Sequence, residues 1–372
     1  MSQKKTIAVL FGGQSGEHEV SLVSAQAVMA GLDPTKYNIL PIGISKAGRW
    51  IAGAEALPAM LAAADHKRLP GGMEQAATNA ETENAPGREQ LAVTAAQFSI
   101  LDPQFPIDIV FPALHGPMGE DGTVQGLLEL AGIPYVGSGV AASSVGMDKA
   151  LMKAAFAAAG LPILPWLLVR RHEWQNDAQR VYTQIEQQLT YPLFVKPANM
   201  GSSVGVNKAH DRAGLERAIA AAAHYDRRII VERGITAREI EVSVLGNDEP
   251  QASVPGEVIP SNEWYDYAAK YLDGQSEIVI PAPIPADLVA QVQALALRAF
   301  VAIDGAGLAR VDFLLDKESG ALWLNEINTM PGFTPISMYA KMWAASGMEY
   351  RELLDQLVEL ALERHRQKNR EL

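Results

Sequence analysis

The segment Ala309–Asn328, ARVDFLLDKESGALWLNEIN, restricts the possible folds of this chain more than any other. Two apolar runs flank DKESGA, a turn that contains glycine, and this predicts a β-hairpin. Placing Asp316 opposite Leu322 sets Asp312 opposite Glu326 and Arg310 opposite Asn328. Residues two apart on a strand share a face, so these four side chains lie on one side. The other side carries Val311, Phe313, Asn325 and Ile327. Directly opposed side chains have Cβ atoms about 4.5–5.5 Å apart, where like charges destabilise the pair. Two facing carboxylates therefore need a cation. Arg310 can supply part of that charge. A divalent ion supplies it more fully, and an oxygen-only set of Asp, Glu and Asn favours Mg²⁺ or Mn²⁺ over zinc. The alternative is an acidic face turned to solvent. The argument depends on register, because a slip of one residue sends a side chain to the other face.

Mg²⁺ held by a few protein oxygens usually completes its shell with phosphates, so the hairpin predicts a nucleotide triphosphate. A second stretch suits that ligand. Val195–Val206 reads VKPANMGSSVGV, a short apolar run closed by Lys196 and followed by a loop of small residues. Glycine-rich loops present backbone N–H groups that bind phosphate oxygens. Ser202 and Ser203 add hydroxyl donors, and Lys196 can act as a point charge. The stretch is neither a Walker A loop nor a Rossmann fingerprint, and taken alone it also reads as a flexible linker. Lys149 opens the alanine-rich segment GMDKALMKAAF, where a surface lysine is the alternative. Val231–Ile235 (VERGI) follows a strand and reads either as a hinge whose backbone meets an adenine edge or as an ordinary strand end.

The 372 residues suggest two or three domains, and the composition is that of a soluble globular protein, with 48% hydrophobic and 20% charged residues. A net charge of -12 argues against a nucleic-acid partner. With no cysteine, disulfides and thiolate zinc sites are excluded. The N-terminal apolar run is too short for a signal peptide, and the region 151–169 carries Lys153, Gly160 and two prolines, so no membrane span is expected. A cytoplasmic location is expected.

Strands are predicted at Thr6–Phe11, Asn38–Ile44, Ile107–Ala113, Leu193–Lys196, Ile229–Glu232 and Glu239–Leu245. Helices are predicted at Ser21–Ala30, Met147–Ala159, Ala286–Ile303 and Glu349–Arg370. Their alternation suggests an α/β chain with a parallel sheet. The stretch 62–90 reads as a surface insertion, and the mixed charge at the C-terminus reads as a solvated helix end.

The hairpin with LNEINTMPGFTPIS, the loop VKPANMGSSVGV and the segment MDKALMK resemble the ATP-grasp ligases. FGGQSGEHEVS, LHGPMGEDGTVQG, YDYAAKY and NTMPGFTPIS narrow the resemblance to the D-alanine–D-alanine ligase family, over residues 5 to 360. The insertion matches the longer bacterial form. The resemblance implies a three-domain ATP-grasp fold, divided at 1–137, 138–232 and 233–372, whose N-terminal domain is built on a parallel sheet and ATP lies between the second and third domains. It also implies that Lys149 and Lys196 contact the nucleotide phosphates. Glu232 and the following backbone, at Arg233 and Ile235, hold the adenine, and Glu239 holds the ribose. Asp312, Glu326 and Asn328 bind two Mg²⁺ ions.

The implied reaction joins two D-alanines through a D-alanyl phosphate. Lys270 adds positive charge, and Arg310 and the N–H of Gly332 form the oxyanion hole. Glu17 pairs with the ammonium of the first D-alanine; read locally, it is also an ordinary helix-start carboxylate. Ser202 and Tyr271 bond to Glu17 and close a lid, and Ser337 holds the second substrate's carboxylate. His115 orients the first substrate or is simply a packed loop histidine. Relatives that make D-alanyl-D-lactate lack the Lys-Tyr pair kept here at Lys270-Tyr271, so the dipeptide is the implied product. A homodimer through the N-terminal domain is also implied. Two rivals stay open: an ATP-grasp ligase with a different acceptor, and a non-catalytic nucleotide sensor.

Overall fold

Thr6–Phe11 has no polar side chain after its threonine, the pattern of a strand buried on both faces. The structure, a computed structural model, describes residues 4–64, 107–201, 203–259, 277–333 and 337–369. In it this run forms the centre of β1 (Lys5–Gly12), and Ile7 to Phe11 are fully buried. Then come α1 (His18–Gly31), β2 (Tyr37–Ile44), β3 (Trp50–Ala52), α2 (Ala56–Ala62), β4 (Ile109–Pro112) and α3 (Thr123–Leu130). The strand order is β3-β2-β1-β4, with β1 parallel to both neighbours and β3 antiparallel at the edge. Ile7, Val9 and Phe11 enter one apolar cluster and Ala8 and Leu10 another, so β1 supplies both faces of its sheet.

The middle of the chain forms α4 (Val140–Met147), α5 (Lys149–Ala158), β5 (Trp166–Arg170), α6 (Arg171–Asn176), α7 (Ala178–Gln188), β6 (Leu193–Pro197), β7 (Asn207–Ala209), α8 (Arg212–Tyr225) and β8 (Arg228–Arg233). The helix expected at Met147–Ala159 is α5, which starts two residues later because Met147 ends α4. Asp148 is extended between them, and its Oδ1 accepts from the N–H groups of Ala150 and Leu151, each at 3.0 Å. That is an N-cap, and it makes Lys149 the first residue of α5. The sheet β5-β8-β6-β7 is antiparallel throughout, so the expected parallel arrangement belongs to the first sheet. Val181 and Ile185 of α7 and Leu215, Ile219 and Ala222 of α8 cover it. On β6, Leu193 and Val195 point into that core while Phe194 and Lys196 point away. Alternation along the strand therefore brings a lysine to the end of a buried segment.

The last part comprises β9 (Ala237–Gly246), β10 (Gln251–Ala252), β11 (Gly256–Ile259), β12 (Glu277–Val279), α9 (Ala286–Ala302), β13 (Gly307–Asp316), β14 (Leu322–Asn328), α10 (Met338–Ala345) and α11 (Tyr350–Lys368). The antiparallel sheet runs β12-β11-β9-β13-β14, with β10 on β9. Val292, Leu295, Ala296, Ala299 and Phe300 form one stripe of α9 and pack on Val242, Val244, Ala309, Val311 and Phe313. The intervening strand residues face the other way. Met152 and Phe156 of α5 share this core, and Tyr339, Trp343, Leu353 and Leu357 of α10 and α11 return to the core beneath β1. The apolar cores therefore cross the divisions expected at 137 and 232.

The hairpin register differs from expectation on its turn side. Arg310 pairs with Asn328, Val311 with Ile327 and Asp312 with Glu326; beyond a bulge, Phe313 pairs with Leu324 and Leu315 with Leu322. Asp316 therefore does not face Leu322. It accepts from the Glu318 N–H at 2.9 Å and the Ser319 hydroxyl at 2.7 Å within the turn. Asn325 is the extra residue rather than a member of the core face. The expected insertion at 62–90 falls, beyond Ala64, outside the described residues.

Gly12 ends β1 at φ +90°, and a Cβ there would lie 2.2 Å from the Ile44 carbonyl oxygen. The turn it makes leads the chain towards Glu17. Gly12→Ala should cost about 1–3 kcal/mol from the left-handed backbone alone, with the clash adding to it. A melting temperature lowered by several degrees in calorimetry is the expected result, and an unchanged one would show that the turn is replaceable.

Candidate active site

One cleft of about 600 Å³ collects every expected site residue that the structure describes. Ser202, Lys270 and Tyr271 lie outside the described residues. The hairpin forms one wall. Arg310 lies across Asp312, its Nε donating to Oδ1 and its Nη2 to Oδ2, both at 2.7 Å. The Asn328 amide donates to the same carboxylate at 3.0 Å, and Glu326 stands directly opposite on β14. Glu241, which sequence reasoning passed over, pairs with Asp312 across β9 and β13 and lies 3.0 Å from the Arg310 Nε. Three carboxylates thus stand in a row across three strands. Burial works against the charge on Arg310, but Asp312 and Glu241 outweigh it and hold the guanidinium firmly protonated.

These donors suit a hard cation: they are oxygens, two of them ionised, on a cleft-facing surface. Among the described residues no group of three or more Asp, Glu, His or Cys side chains is arranged to hold a metal.

The opposite wall is basic. Lys196 emerges from β6 and its Nζ donates to Glu232 Oε2 at 3.0 Å. The other oxygen of Glu232 forms an ion pair with Lys153, and both groups are almost completely buried. Burial opposes ionisation of Glu232, yet the two lysines outweigh it and hold its carboxyl below the ordinary range. Burial also opposes the charge on Lys196, where Glu232 and Glu326 reverse the balance and raise its pKa. Lys149 is half-buried; its Nζ donates to the Met200 carbonyl at 2.7 Å, tying α5 to the loop after β6. That loop curls on turns from Val204 N–H to Gly201 O and from Val206 N–H to Ser203 O, with Ser203 at φ +59° and Gly205 at φ +72°.

Glu232 also lines the cleft, and its carboxylate is shared between Lys196 and Lys153. The next two N–H groups are also taken: Arg233 donates to Pro165 O at 3.0 Å and Gly234 to Pro192 O at 2.7 Å. The Ile235 and Glu239 positions, as well as exposed Arg233, still line the cleft.

At the far end sits Glu17, 8% exposed. It occupies the N-cap position of α1 without a side-chain capping bond. Its carboxylate lies instead between two glycines: a Cβ on Gly116 would fall 2.7 Å from Oε2, and one on Gly201 would fall 2.8 Å from it. His115 is buried beside it, with Nε2 2.8 Å from the Ser24 hydroxyl and Nδ1 3.4 Å from Glu120. Glu120, a second residue missed from sequence, also accepts from the Gly116 N–H at 2.9 Å. Near the third edge, the Ser337 hydroxyl donates to the Gly332 carbonyl. A Cβ on Gly332 would meet no atom within 4 Å, so the protein's own packing does not require glycine there.

A Gly/Ser loop with lysines on one antiparallel sheet, facing carboxylates on another across a single cleft, defines an ATP-grasp fold. The comparisons narrow this. Residues 6–138 match the family model for the D-Ala-D-Ala ligase N-terminus and residues 155–359 that for its C-terminus. The chain is 54% identical over 368 residues to the D-alanine–D-alanine ligase of Heliobacterium modesticaldum, covering 99% of this chain and 97% of that one. It is 50% identical over 362 residues to the one from Chloroherpeton thalassium, covering 97% of each. Among solved structures it is similar to the D-alanine-D-alanine ligase of Coxiella burnetii, with a TM-score of 0.79 and 36% identity over 99% of this chain and 96% of that one. It is also similar to the VanG D-Ala:D-Ser ligase of Enterococcus faecalis, with a TM-score of 0.80 and 35% identity over 96% and 100%. The chain belongs to the D-alanine–D-alanine ligase family.

His115 supplies a pH-dependent check. Burial pulls its pKa down, but the hydrogen bond and charge of Glu120, followed by Glu17, outweigh burial and raise it. A histidine so raised adds stability that is fully present below about pH 6.5 and is lost as pH rises through the folded-state pKa. Glu120→Gln removes the main opposing influence. The His115 ring resonances should then titrate at lower pH than in the wild type, and the extra acid-side stability should shrink. An unchanged NMR titration midpoint would contradict this account of the pocket.

Proposed function

We propose that this chain joins two D-alanines to D-alanyl-D-alanine while converting ATP to ADP and phosphate, as an ADP-forming carboxylate–amine ligase that supplies a cell-wall precursor. The reading is carried by a single cleft in which an acidic hairpin face opposes two lysines and Glu17 closes the far end. Membership of the family supports it.

In this reading Lys149 and Lys196 neutralise the triphosphate from one side. Asp312, Glu326 and Asn328 are the residues that hold Mg²⁺ or Mn²⁺, two ions by family resemblance, which neutralise phosphate charge from the other side. Ile235, Arg233 and Glu239 border the nucleoside. Glu17 holds the ammonium of the first D-alanine, with His115 orienting it. The substrate carboxylate attacks the γ-phosphorus, forming an acyl phosphate and releasing ADP. The amino group of the second D-alanine then attacks the acyl carbon and phosphate leaves. Arg310 and the N–H of Gly332 stabilise the oxyanion, and Ser337 holds the second carboxylate. Ser202, Lys270 and Tyr271 keep the roles implied by resemblance. The division at 137 and 232, a homodimer through the N-terminal domain and a cytoplasmic location belong to the same proposal. Among the described residues no helix is long and apolar enough to cross a membrane.

The structural likeness to a D-Ala:D-Ser ligase makes the acceptor the point to test. Incubation with ATP, Mg²⁺ and D-alanine should yield D-alanyl-D-alanine by mass spectrometry. D-Serine and D-lactate offered in competition should give minor products. A dominant mixed product would assign a different acceptor, and nucleotide binding without phosphate release would leave a sensor.

Glu326→Gln removes one of the facing carboxylates at almost constant volume. It should leave the circular dichroism and melting curve near wild type while cutting phosphate release by at least about a hundredfold. Turnover within a few-fold of wild type would remove the hairpin from the chemistry.

A further inference from the structure

Lys153 is 1% exposed, a rare environment for a lysine, and none of the roles assigned above uses it. It lies one turn after Lys149 on α5 and therefore on the same helix face. Its ammonium is paired with Glu232 Oε1, and the Asn325 carbonyl of the hairpin bulge lies 3.5 Å away. Glu232 uses its other oxygen for Lys196, whose Nζ reaches the cleft. With both lysines protonated, the chain of contacts Lys153–Glu232–Lys196 carries two positive charges and one negative; burial lowers the pKa of Lys153 and Glu232 opposes that shift.

The sum of these charges has a functional consequence. With Lys153 present, Glu232 is neutralised from behind and the cluster keeps one net positive charge, at the cleft. Without Lys153, Glu232 and Lys196 would cancel each other. Lys196 would then meet an incoming polyanion as half of a neutral pair. Low local dielectric makes that difference larger than it would be in water.

We propose that Lys153 is a positioning residue for phosphate binding: by taking up the charge of Glu232 it leaves Lys196 available to an anionic ligand. The proposal rests on the reading of this cleft as a nucleoside triphosphate site. It adds a residue that touches no ligand and acts only through Glu232. The contact with the Asn325 carbonyl also ties the basic wall to the strand that carries Glu326.

The test is a charge-suppression experiment with the full chain, measuring binding of MgATP, MgADP and adenosine by calorimetry. Lys153→Met is nearly isosteric and should weaken MgATP at least tenfold while leaving adenosine within twofold. Adding Glu232→Gln to it removes the acid that Lys153 neutralises, so the double variant should recover MgATP binding to within about threefold of wild type. A purely structural lysine gives a different pattern: adenosine weakens in parallel, and the second substitution restores nothing. Either of those results, or an unaffected Lys153→Met, overturns the proposal. Should Lys153→Met fail to fold, Glu232→Gln alone decides. It should bind MgATP at least as tightly as wild type, and a tenfold loss with adenosine retained overturns the proposal. Wild-type protein that binds no nucleotide overturns the underlying site reading, and this inference with it.

Discussion

The rest of the site depends on the placement of two like charges directly opposite each other on neighbouring strands. Asp312 and Glu326 face each other across β13 and β14, with Glu241 beyond Asp312 on β9. At about 5 Å and an effective dielectric constant near 20, one such repulsion is about 3 kcal/mol. A folded chain tolerates that only with a compensating cation, and Arg310 supplies it by bridging Asp312 and Glu241. The guanidinium serves Asp312 and Glu241 better than Glu326, because its two close contacts both lie on that side. Glu326 interacts electrostatically with Arg310 and, across the cleft, with Lys196, so the acidic face and the lysines lie in each other's field. A ligand that carries both signs, such as a cation-bound polyphosphate, suits both walls at once.

These charged clusters do not stabilise the fold to any great extent. Desolvating ions costs several kcal/mol each, and a buried pair often does no better than apolar side chains of the same size. The Lys153–Glu232–Lys196 cluster is an odd-numbered set and cannot neutralise itself. Stability resides in the apolar clusters beneath α9, around β1 and under α7 and α8. The charged groups are held at the junction of those cores, where the rigid sheets fix their separation. Helices α10 and α11 return to the β1 core, so the cleft residues Gly332 and Ser337 are anchored to the unit that carries Glu17.

Much of this was legible in the sequence, and the failures have identifiable causes. The strands of the first sheet were readable because buried parallel strands are continuous apolar runs, as in TIAVLF. The carboxylate register was readable because the polar residues of the hairpin keep step near Asp312. The turn end was misread because a bulge was overlooked, although it too left a trace. In LWLNEIN the apolar positions are 322, 323, 324 and then 327; with Leu322 and Leu324 on the core side, Ile327 reaches the same side only through a change of parity that a regular strand cannot accommodate. The extra residue lets Leu322, Leu324 and Ile327 all reach the core and still turns Glu326 and Asn328 to the cleft. Glu241 was detectable as the partner of Glu239 in alternating EIEV, and Lys153 by its spacing of four from Lys149. The Glu232–Lys153 pair was not legible, because it joins a strand to a helix and no local pattern encodes that contact.

The Gly/Ser loop has a second constraint beyond phosphate. Gly201 and Gly116 come from different parts of the chain, yet each would place a Cβ within 3 Å of the same oxygen of Glu17. One glycine belongs to the loop after β6 and the other to the turn after His115. Their missing side chains let the two backbones converge on one carboxylate and leave it 8% exposed. Any residue larger than glycine at either position must push Glu17 aside or hold the two segments apart. The close approach of the loop therefore couples the basic wall to the far end of the cleft. That explains why a buried strand gives way to glycine in VKPANMGSSVGV: the lysine faces the cleft, and the chain beyond it passes close against an acid held at the start of α1.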